Sequence, residues 1–549
     1  MSRSRSYTRS AIVGGLLLLA GLFLLTHRPP TAPDPPAATN NSTPDPPTPP
    51  STATTPLLPA EDDLVSTTST AALSGKLTAL LTRPGVRAHE ALLLFKDPDG
   101  FHRFLTRAAS AGVIITGRID PLRALRVRIR AYDTFAAELV ARAADFGGVS
   151  ANPFIEIPPT PPSAERTASR PVAVGDQLLS TLGVAAGTDT RTWGRGVTIA
   201  VLDGGAAPDP TLGARLRYLD IGLGYAGTGE AGQHGTAVAA LAAGSAPDRP
   251  GVAPAASVLS IRVIDTEDKS DVFTVSQGIV AAVDAGAQLV NLSLGGRVTT
   301  ELINRAITYA TTHGVVIVAA AGNDGINRLA WPAADPRVVS VGATDATGRQ
   351  AAFSNSGPQL HLTAPGVGIL TGGLNPQRTL FSGTSASAPV IAGAIAVILS
   401  QTPGLTAPQA VEILQTHAND GGAAGDDPNY GHGTLNLGWA LARDDRTRTD
   451  TAISSHHYNP ETGALEVIVQ NRSARASAAQ VLTVNLNGRV ATYAIPAIAP
   501  GLSTAVVLPV DASTAAAPIE LRTQLEQTEG VIDAVPANNT HASLFDLRR

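Results

Sequence analysis

Leu380-Phe-Ser-Gly-Thr-Ser385-Ala-Ser-Ala-Pro389 decides how this chain is read, because it puts a serine at the tight entry to an apolar helix. A hydroxyl at a helix start lies beside free backbone N–H groups and the positive end of the helix dipole, where a developing negative charge is favoured. Pro389 falls about one turn in, where its missing N–H costs least. Three upstream segments matter beside it. Gly196-Val-Thr-Ile-Ala-Val-Leu-Asp203 reads as a buried strand ending in an aspartate, and Gln233-His234-Gly-Thr236 opens a helix of small residues. Val318-Ala-Ala-Ala-Gly-Asn323-Asp-Gly325 is a second apolar strand followed by an asparagine.

A serine hydroxyl is a weak nucleophile until a base takes its proton, and the imidazole that does so needs a carboxylate to hold its tautomer. Asp203, His234 and Ser385 follow one of the known chain orders for such a triad on an α/β scaffold. The Asn323 amide is of the right type to donate to the oxyanion. Singly, each residue has an ordinary explanation as a helix cap, a structural histidine or a turn. Their joint occurrence in order, within one stretch of alternating strands and helices, points to nucleophilic catalysis.

That stretch runs from about residue 175 to 443. Apolar runs at 197–202, 256–263, 289–292, 315–320 and 338–341 predict strands, and 272–285 and 300–312 predict helices between them. Near-continuous apolar strands separated by helices describe a mostly parallel sheet covered by helices on both faces. No phosphate loop or G-x-G-x-x-G follows the first strand, which removes a nucleotide-binding reading.

The 549 residues are too many for one core. With 43% hydrophobic and 15% charged residues the chain is globular in type, and a net charge of −5 gives no reason to expect nucleic acid as a partner. There is no cysteine, which excludes disulfides, thiolate metal sites and a cysteine nucleophile. Arg3, Arg5 and Arg9 precede the apolar run 11–25. That pattern predicts export with the arginines kept inside. His27, Arg28 and prolines follow in place of a small-residue cleavage site, so an uncleaved membrane anchor is favoured over a removed signal, whose cleavage would make the protein secreted. Residues 29–84 are read as a Pro/Thr-rich disordered tether, with one short helix near 69–82.

Residues 85–157 read β-α-β-β-α-β, a ferredoxin-like α+β unit. Leu125, Val127 and Ile129 alternate there with Arg126, Arg128 and Arg130, which is a half-buried strand. A Pro/Ser-rich break at 158–174 follows. Beyond residue 448 the helices stop, and runs at 467–470, 481–486, 491–495, 504–508 and 519–524 predict an all-β sandwich through residue 549.

The central segments resemble the subtilisin-like (subtilase) serine peptidases. Gly251-Val-Ala-Pro254, Leu289-Val-Asn-Leu-Ser-Leu-Gly-Gly296, Ala364-Pro-Gly366 and Tyr430-Gly-His-Gly-Thr-Leu-Asn436 extend the likeness across nearly the whole of 175–447. The resemblance implies Ser385 as nucleophile, His234 as general base, Asp203 as its orienter and Asn323 as oxyanion donor. It implies that Ser293, Leu294 and Gly295 form an edge that pairs with an extended polypeptide substrate. With Ala319, Ala320, Ala321 and Gly322 this edge would wall the specificity pocket, with Ala330 near its floor. No acidic side chain stands there, so small or apolar substrate residues are expected.

Gly204 stands where the family has Ser or Thr, Ala237 replaces a second histidine, and Ala386 replaces a methionine. No metal or cofactor is expected to take part. The loop 244–250, where many relatives bind structural calcium, is short and sets Asp248 beside Arg249. By position the ferredoxin-like unit resembles the family's inhibitory propeptide, which implies autoprocessing in 158–174, between Ser163 and Arg170. Asn471, Gly501, Asn538 and Asn539 give the last domain a likeness to adhesion-type Ig-like modules. The resulting expectation is an extracytoplasmic serine endopeptidase, anchored to a bacterial membrane and inhibited by its own propeptide. A catalytically silent surface scaffold on a peptidase fold is the alternative.

Overall fold

A computed structural model of the chain describes residues 69–158, 171–225, 227–374, 378–510, 518–526 and 530–546. The expected anchor at 1–28, the tether up to residue 68 and linker residues 159–170 lie outside the described residues.

The helix predicted near 69–82 is α1 (Thr70–Thr82), capped by the Ser69 side chain. Leu73, Leu77 and Leu81 recur every four residues and are buried in one core with the unit that follows. α1 is therefore part of a folded core although it lies inside the segment the composition assigns to a tether, because three leucines on one face outweigh the polar neighbourhood. Next come β1 (Val86–Phe95), α2 (Pro98–Arg107), β2 (Val113–Ile119), β3 (Ala124–Ile129), α3 (Tyr132–Ala141) and β4 (Phe146–Ile155). The strands pair antiparallel in the order β2-β3-β1-β4. Alternate β1 residues face opposite sides. Leu93 and Phe95 join the core under α1–α3, while Leu92 and Leu94 join a core shared with the next domain.

That domain opens with the short α4 (Leu178–Thr181), then β5 (Thr198–Asp203), β6 (Leu216–Leu219), α5 (Gly229–Ala243), β7 (Ser257–Arg262) and the two-residue β8 (Ser270–Asp271). It continues through α6 (Val272–Asp284), β9 (Leu289–Leu292), α7 (Glu301–Thr312), β10 (Val316–Ala320), β11 (Val339–Thr344) and β12 (Leu362–Pro365). A hairpin of β13 (Ile369–Gly372) and β14 (Arg378–Phe381) leads into α8 (Thr384–Gln401), followed by α9 (Ala407–Thr416) and α10 (Leu437–Leu441). Among the described residues the main sheet has seven strands, all parallel, in the order β12-β11-β10-β9-β5-β7-β6. On β10, Val316, Val318 and Ala320 pack into the core that holds α5 and α8, and Ile317 and Ala319 into the core that holds α6 and α7. Helices thus cover both faces, as the apolar strands predict.

From β5 the chain winds to β6 and β7 on one side and to β9–β12 on the other. This makes the carboxyl ends of β5 and β9 the topological switch point, the usual place for a site in such sheets. Among the described residues α8 alone is long and apolar enough to cross a membrane, and it is the buried central helix of this core.

The last domain is two sheets around one core: β15 (Thr451–Asn459), β16 (Ala464–Asn471) and β19 (Ser503–Pro509) against β17 (Gln480–Leu486), β18 (Arg489–Ile495), β20 (Ile519–Leu525) and β21 (Thr540–Phe545). The predicted runs match β16–β20. β15 and β21 go unpredicted because Ser454-Ser-His-His457 and Thr540-His-Ala-Ser543 lack an apolar alternation. His456 lies between the sheets, with Nδ1 3.0 Å from Ser543 Oγ and Nε2 2.7 Å from Thr523 Oγ1, and packs edge-on against His541 at 4.5 Å.

Burial, reinforced by His541, pushes the His456 pKa down to about 3, and burial lowers His541 as well. The unfolded chain then binds more protons than the folded one between about pH 6.5 and 3. Stability is full above that window and falls as pH drops through it. In thermal unfolding of the full chain, the sandwich transition should move down by about 5 °C or more between pH 7 and pH 4.5. His456→Gln, which keeps hydrogen-bonding capacity without the titration, should flatten that dependence.

Candidate active site

Asp203 is the last residue of β5 and is fully buried, and its carboxylate accepts from Gly204 N–H at 2.7 Å. Gly204 therefore keeps the backbone donor expected of it. A Cβ there would stand 2.3 Å from the Ala231 carbonyl oxygen, so the close approach of α5 is the reason no Ser or Thr occupies the position. His234 lies in the second turn of α5, which begins five residues earlier than the His-Gly-Thr motif indicates. Its Nδ1 is 2.9 and 3.0 Å from the two Asp203 oxygens. With a carboxylate on Nδ1 that nitrogen carries the proton, leaving Nε2 as the acceptor. Nε2 is buried without a hydrogen-bond partner.

The imidazole meets the serine segment through Phe381, whose ring is edge-on at 5.1 Å. Four residues further on, Ser385 is in the first turn of α8 and 2% exposed. Gly383, with φ of 125°, forms the N-cap and bends the chain from β14 into the helix. Ser385 Oγ donates to the Ser293 carbonyl at 3.2 Å, and Ser293 Oγ donates to the Ser385 carbonyl at 2.9 Å. Pro389 explains the second bond. A residue at that position would normally donate its N–H to the carbonyl four residues back, and proline has none. The missing donor is thus not free of consequence, since the orphaned Ser385 carbonyl ties the helix to the end of β9. Asn291 Nδ2 donates in turn to Ser293 Oγ at 3.0 Å.

Asn323 follows β10, and its Oδ1 accepts from both the N–H and the hydroxyl of Thr384 at 2.9 Å. The amide nitrogen is left facing Gly383, where an added Cβ would lie 3.0 Å from it. The Thr384 hydroxyl also accepts from Gly322 N–H at 3.1 Å. Thr384 is the residue sequence reasoning missed. Its signal was adjacency to Ser385 and a hydroxyl that no helix interior requires.

The expected substrate-binding residues cluster but differ in what they present. Leu294, Ala319, Ala320 and Ala321 turn their side chains into hydrophobic cores. Ala330, Gly295 and Gly322 crowd together: an added Cβ on Gly295 or Gly322 would stand 2.9 or 3.4 Å from Ala330 Cβ. Ala330 N–H donates to the Ala321 carbonyl at 2.9 Å. Gly295 is paired with the chain's own Glu156 through two backbone hydrogen bonds of 3.0 Å, in an antiparallel bridge. In the 244–250 loop, Asp248 is paired with Arg249 at 3.1 Å and Arg378 at 2.6 Å. A carboxylate held by two guanidinium groups is a poor calcium ligand, so the donor set does not fit that ion.

The subtilase family model matches residues 194–433, a span that holds Asp203, His234, Asn323 and Ser385. Subtilisin BL of Lederbergia lenta is 32% identical over 245 residues, covering 44% of this chain and 90% of the relative. The chain belongs to the subtilase family. A thermostable alkaline protease of Halalkalibacterium halodurans is 30% identical over 282 residues, 51% of this chain and 76% of its own. The minor extracellular protease Epr of Bacillus subtilis strain 168 is 31% identical over 245 residues, or 38% of its length. The subtilase part of this chain is its central α/β domain, and the family makes it a serine peptidase acting on polypeptides.

Proposed function

We propose that this subtilase is an exported serine endopeptidase in which Ser385 is the nucleophile, His234 the general base, Asp203 its orienter and Asn323 an oxyanion donor. The observation that carries the reading is the Asp203–His234 pair, which leaves an acceptor nitrogen buried and unpartnered beside the Ser385 segment. On substrate binding the Ser385 hydroxyl turns from the Ser293 carbonyl to His234 Nε2. As Oγ attacks the substrate carbonyl carbon, its proton passes to Nε2, and Asp203 steadies the imidazolium. The carbonyl oxygen takes the negative charge against the Asn323 amide and the N–H groups at the start of α8. His234 then hands the proton to the departing amine, and water resolves the acyl-enzyme by the same steps.

The Ser293–Gly295 edge pairs with the substrate backbone, and the Ala330–Gly322–Gly295 corner admits a small or apolar side chain. The N-terminal unit inhibits by holding that edge, in keeping with the Glu156–Gly295 bridge. Maturation occurs by a cut between Ser163 and Arg170. The arginine-flanked apolar segment 11–25 holds the protein at the outer face of a bacterial membrane, and the sandwich is an Ig-like structural or adhesive module. The name of the extracellular relative is consistent with an extracytoplasmic site.

A fluorophosphonate probe tests the reading. Mature wild type should be labelled covalently, with adduct mass on the peptide containing Ser385, and Ser385→Ala should not be labelled. An unlabelled wild type would return the protein to the class of silent scaffolds.

A further inference from the structure

The peptidase domain and the sandwich meet along a seam that holds a cleft of about 580 Å³, a size that suits a small ligand. Gln470 Nε2 on β16 donates to the Ala418 carbonyl at 3.0 Å, and its Oε1 accepts from Asp420 N–H at 3.2 Å. On β15, Ser455 Oγ donates to the Gly422 carbonyl at 3.0 Å. These bonds tie the two walls together, so the cleft is preformed. None of Asp203, His234, Asn323 and Ser385 lines it.

The polar part of the lining has donors to spare. Arg472, just past β16, lines the cleft, is 6% exposed and forms no ion pair among the described residues. Its Nε donates to Gln470 Oε1 at 3.0 Å and its Nη2 to Ser454 Oγ at 2.9 Å, both neutral acceptors, while Nη1 has no acceptor among the described residues. A buried guanidinium without a carboxylate partner is costly, and burial pulls its pKa down to about 10. The nearby Asp450 is already held by Arg448 at 2.7 Å and by the Asn538 amide at 2.9 Å. From the peptidase side, Tyr430 Oη accepts from Gln350 N–H at 2.8 Å, and its own proton has no acceptor among the described residues. The two carboxylates on the lining are occupied. Asp345 accepts from the Thr347 N–H and hydroxyl and pairs with Arg349 at 3.0 Å, and Asp420 accepts from Gly425 N–H at 3.2 and 3.1 Å.

We propose that this cleft binds the carboxyl terminus of a peptide, with Arg472 Nη1 and the Tyr430 hydroxyl donating to the carboxylate. Unspent N–H and O–H donors beside an unpaired positive charge call for an acceptor that is itself negative. A guanidinium and a carboxylate match in planar shape as well as in charge. The ligand is organic because the lining is not polar throughout. Pro365, Ile453, Leu544 and Phe545 also line the cleft, and Leu544 is 66% exposed. Such side chains offer nothing to a phosphate or sulfate ion and favour an apolar residue at the end of the peptide. A peptidase releases a new carboxylate end with every bond it cuts, so ligands of this class form on the same molecule.

Calorimetry on full-length Ser385→Ala protein, used so that the probe is not consumed, measures binding of N-acetyl-Ala-Ala-Leu with a free carboxyl end and of its carboxamide. The acid should bind saturably, and the amide at least about tenfold more weakly. Tyr430→Phe and Arg472→Met, each added to that protein, should weaken the acid by about tenfold and bring the two probes to similar affinity. Tyr430→Phe keeps the ring packing and stays informative if loss of Arg472 unsettles the fold, and thermal unfolding without ligand checks both variants. Absence of saturable acid binding overturns the inference. So does an acid preference that survives in either variant while it is folded, since the peptide would then sit elsewhere, the substrate edge included. Acetate or inorganic phosphate that displaces the peptide at equal concentration overturns it as well, because the cleft would then take any small anion.

Discussion

Ser385→Ala lowers kcat for hydrolysis of an extended peptide by roughly 10⁶-fold with KM little changed, the magnitude known for subtilisin when its nucleophile or base is removed. The size follows from the role and not from packing. Ser385 is almost fully buried, but its hydroxyl makes one hydrogen bond, to the Ser293 carbonyl, and alanine leaves the helix start and the Ser293–Ser385 backbone tie in place. The variant should therefore keep the wild-type thermal transition to within a few degrees. His234→Ala should cost about as much alone, and the double variant little more, because in the roles proposed for them base and nucleophile act as one unit. Burst-phase and steady-state kinetics on matured protein measure all three. Additive losses, each of tenfold or less, would mean that the Asp203–His234 pair is a structural buttress and that Ser385 does not turn to meet it.

Much of this arrangement was legible in the sequence because local rules fix it. Asp203 had to end its strand, since the apolar run stops there and glycines follow. Ser385 had to begin a helix, since a glycine precedes it and an apolar run follows. Five of the seven strands of the main sheet, the helices between them and the four-stranded N-terminal unit came from period and punctuation alone, whereas the four-residue β6 and β12 went unpredicted. What escaped was tertiary in origin. No local rule places Glu156 against Gly295, or reveals that the Ser385 carbonyl, orphaned by Pro389, is met by a hydroxyl from a different strand. The role of α1 is not announced by its sequence, because its three leucines find their partners only once β1 and α3 are folded beneath them. β15 escaped because His456 sits half-buried between two hydroxyls, an environment that composition cannot announce.

Asn323→Asp is the sharper probe of the oxyanion site and should lower kcat by about 10²- to 10³-fold, again with little change in KM. Aspartate preserves the shape of the side chain and its acceptor, so the two hydrogen bonds from the Thr384 N–H and hydroxyl can persist. The change is confined to the far side of the group, where an amide donor becomes a carboxylate oxygen. A negative charge there repels the oxyanion that the amide would have stabilised. Asn323→Ala separates this from structure: it loses the donor and the Thr384 acceptor together, which leaves the buried Thr384 hydroxyl short of a partner. Thermal unfolding should then distinguish the two variants, with the alanine form less stable and the aspartate form close to wild type. If catalysis tracked stability, falling only in the alanine variant, Asn323 would be a brace for the start of α8 and the charge would be met by backbone N–H groups alone.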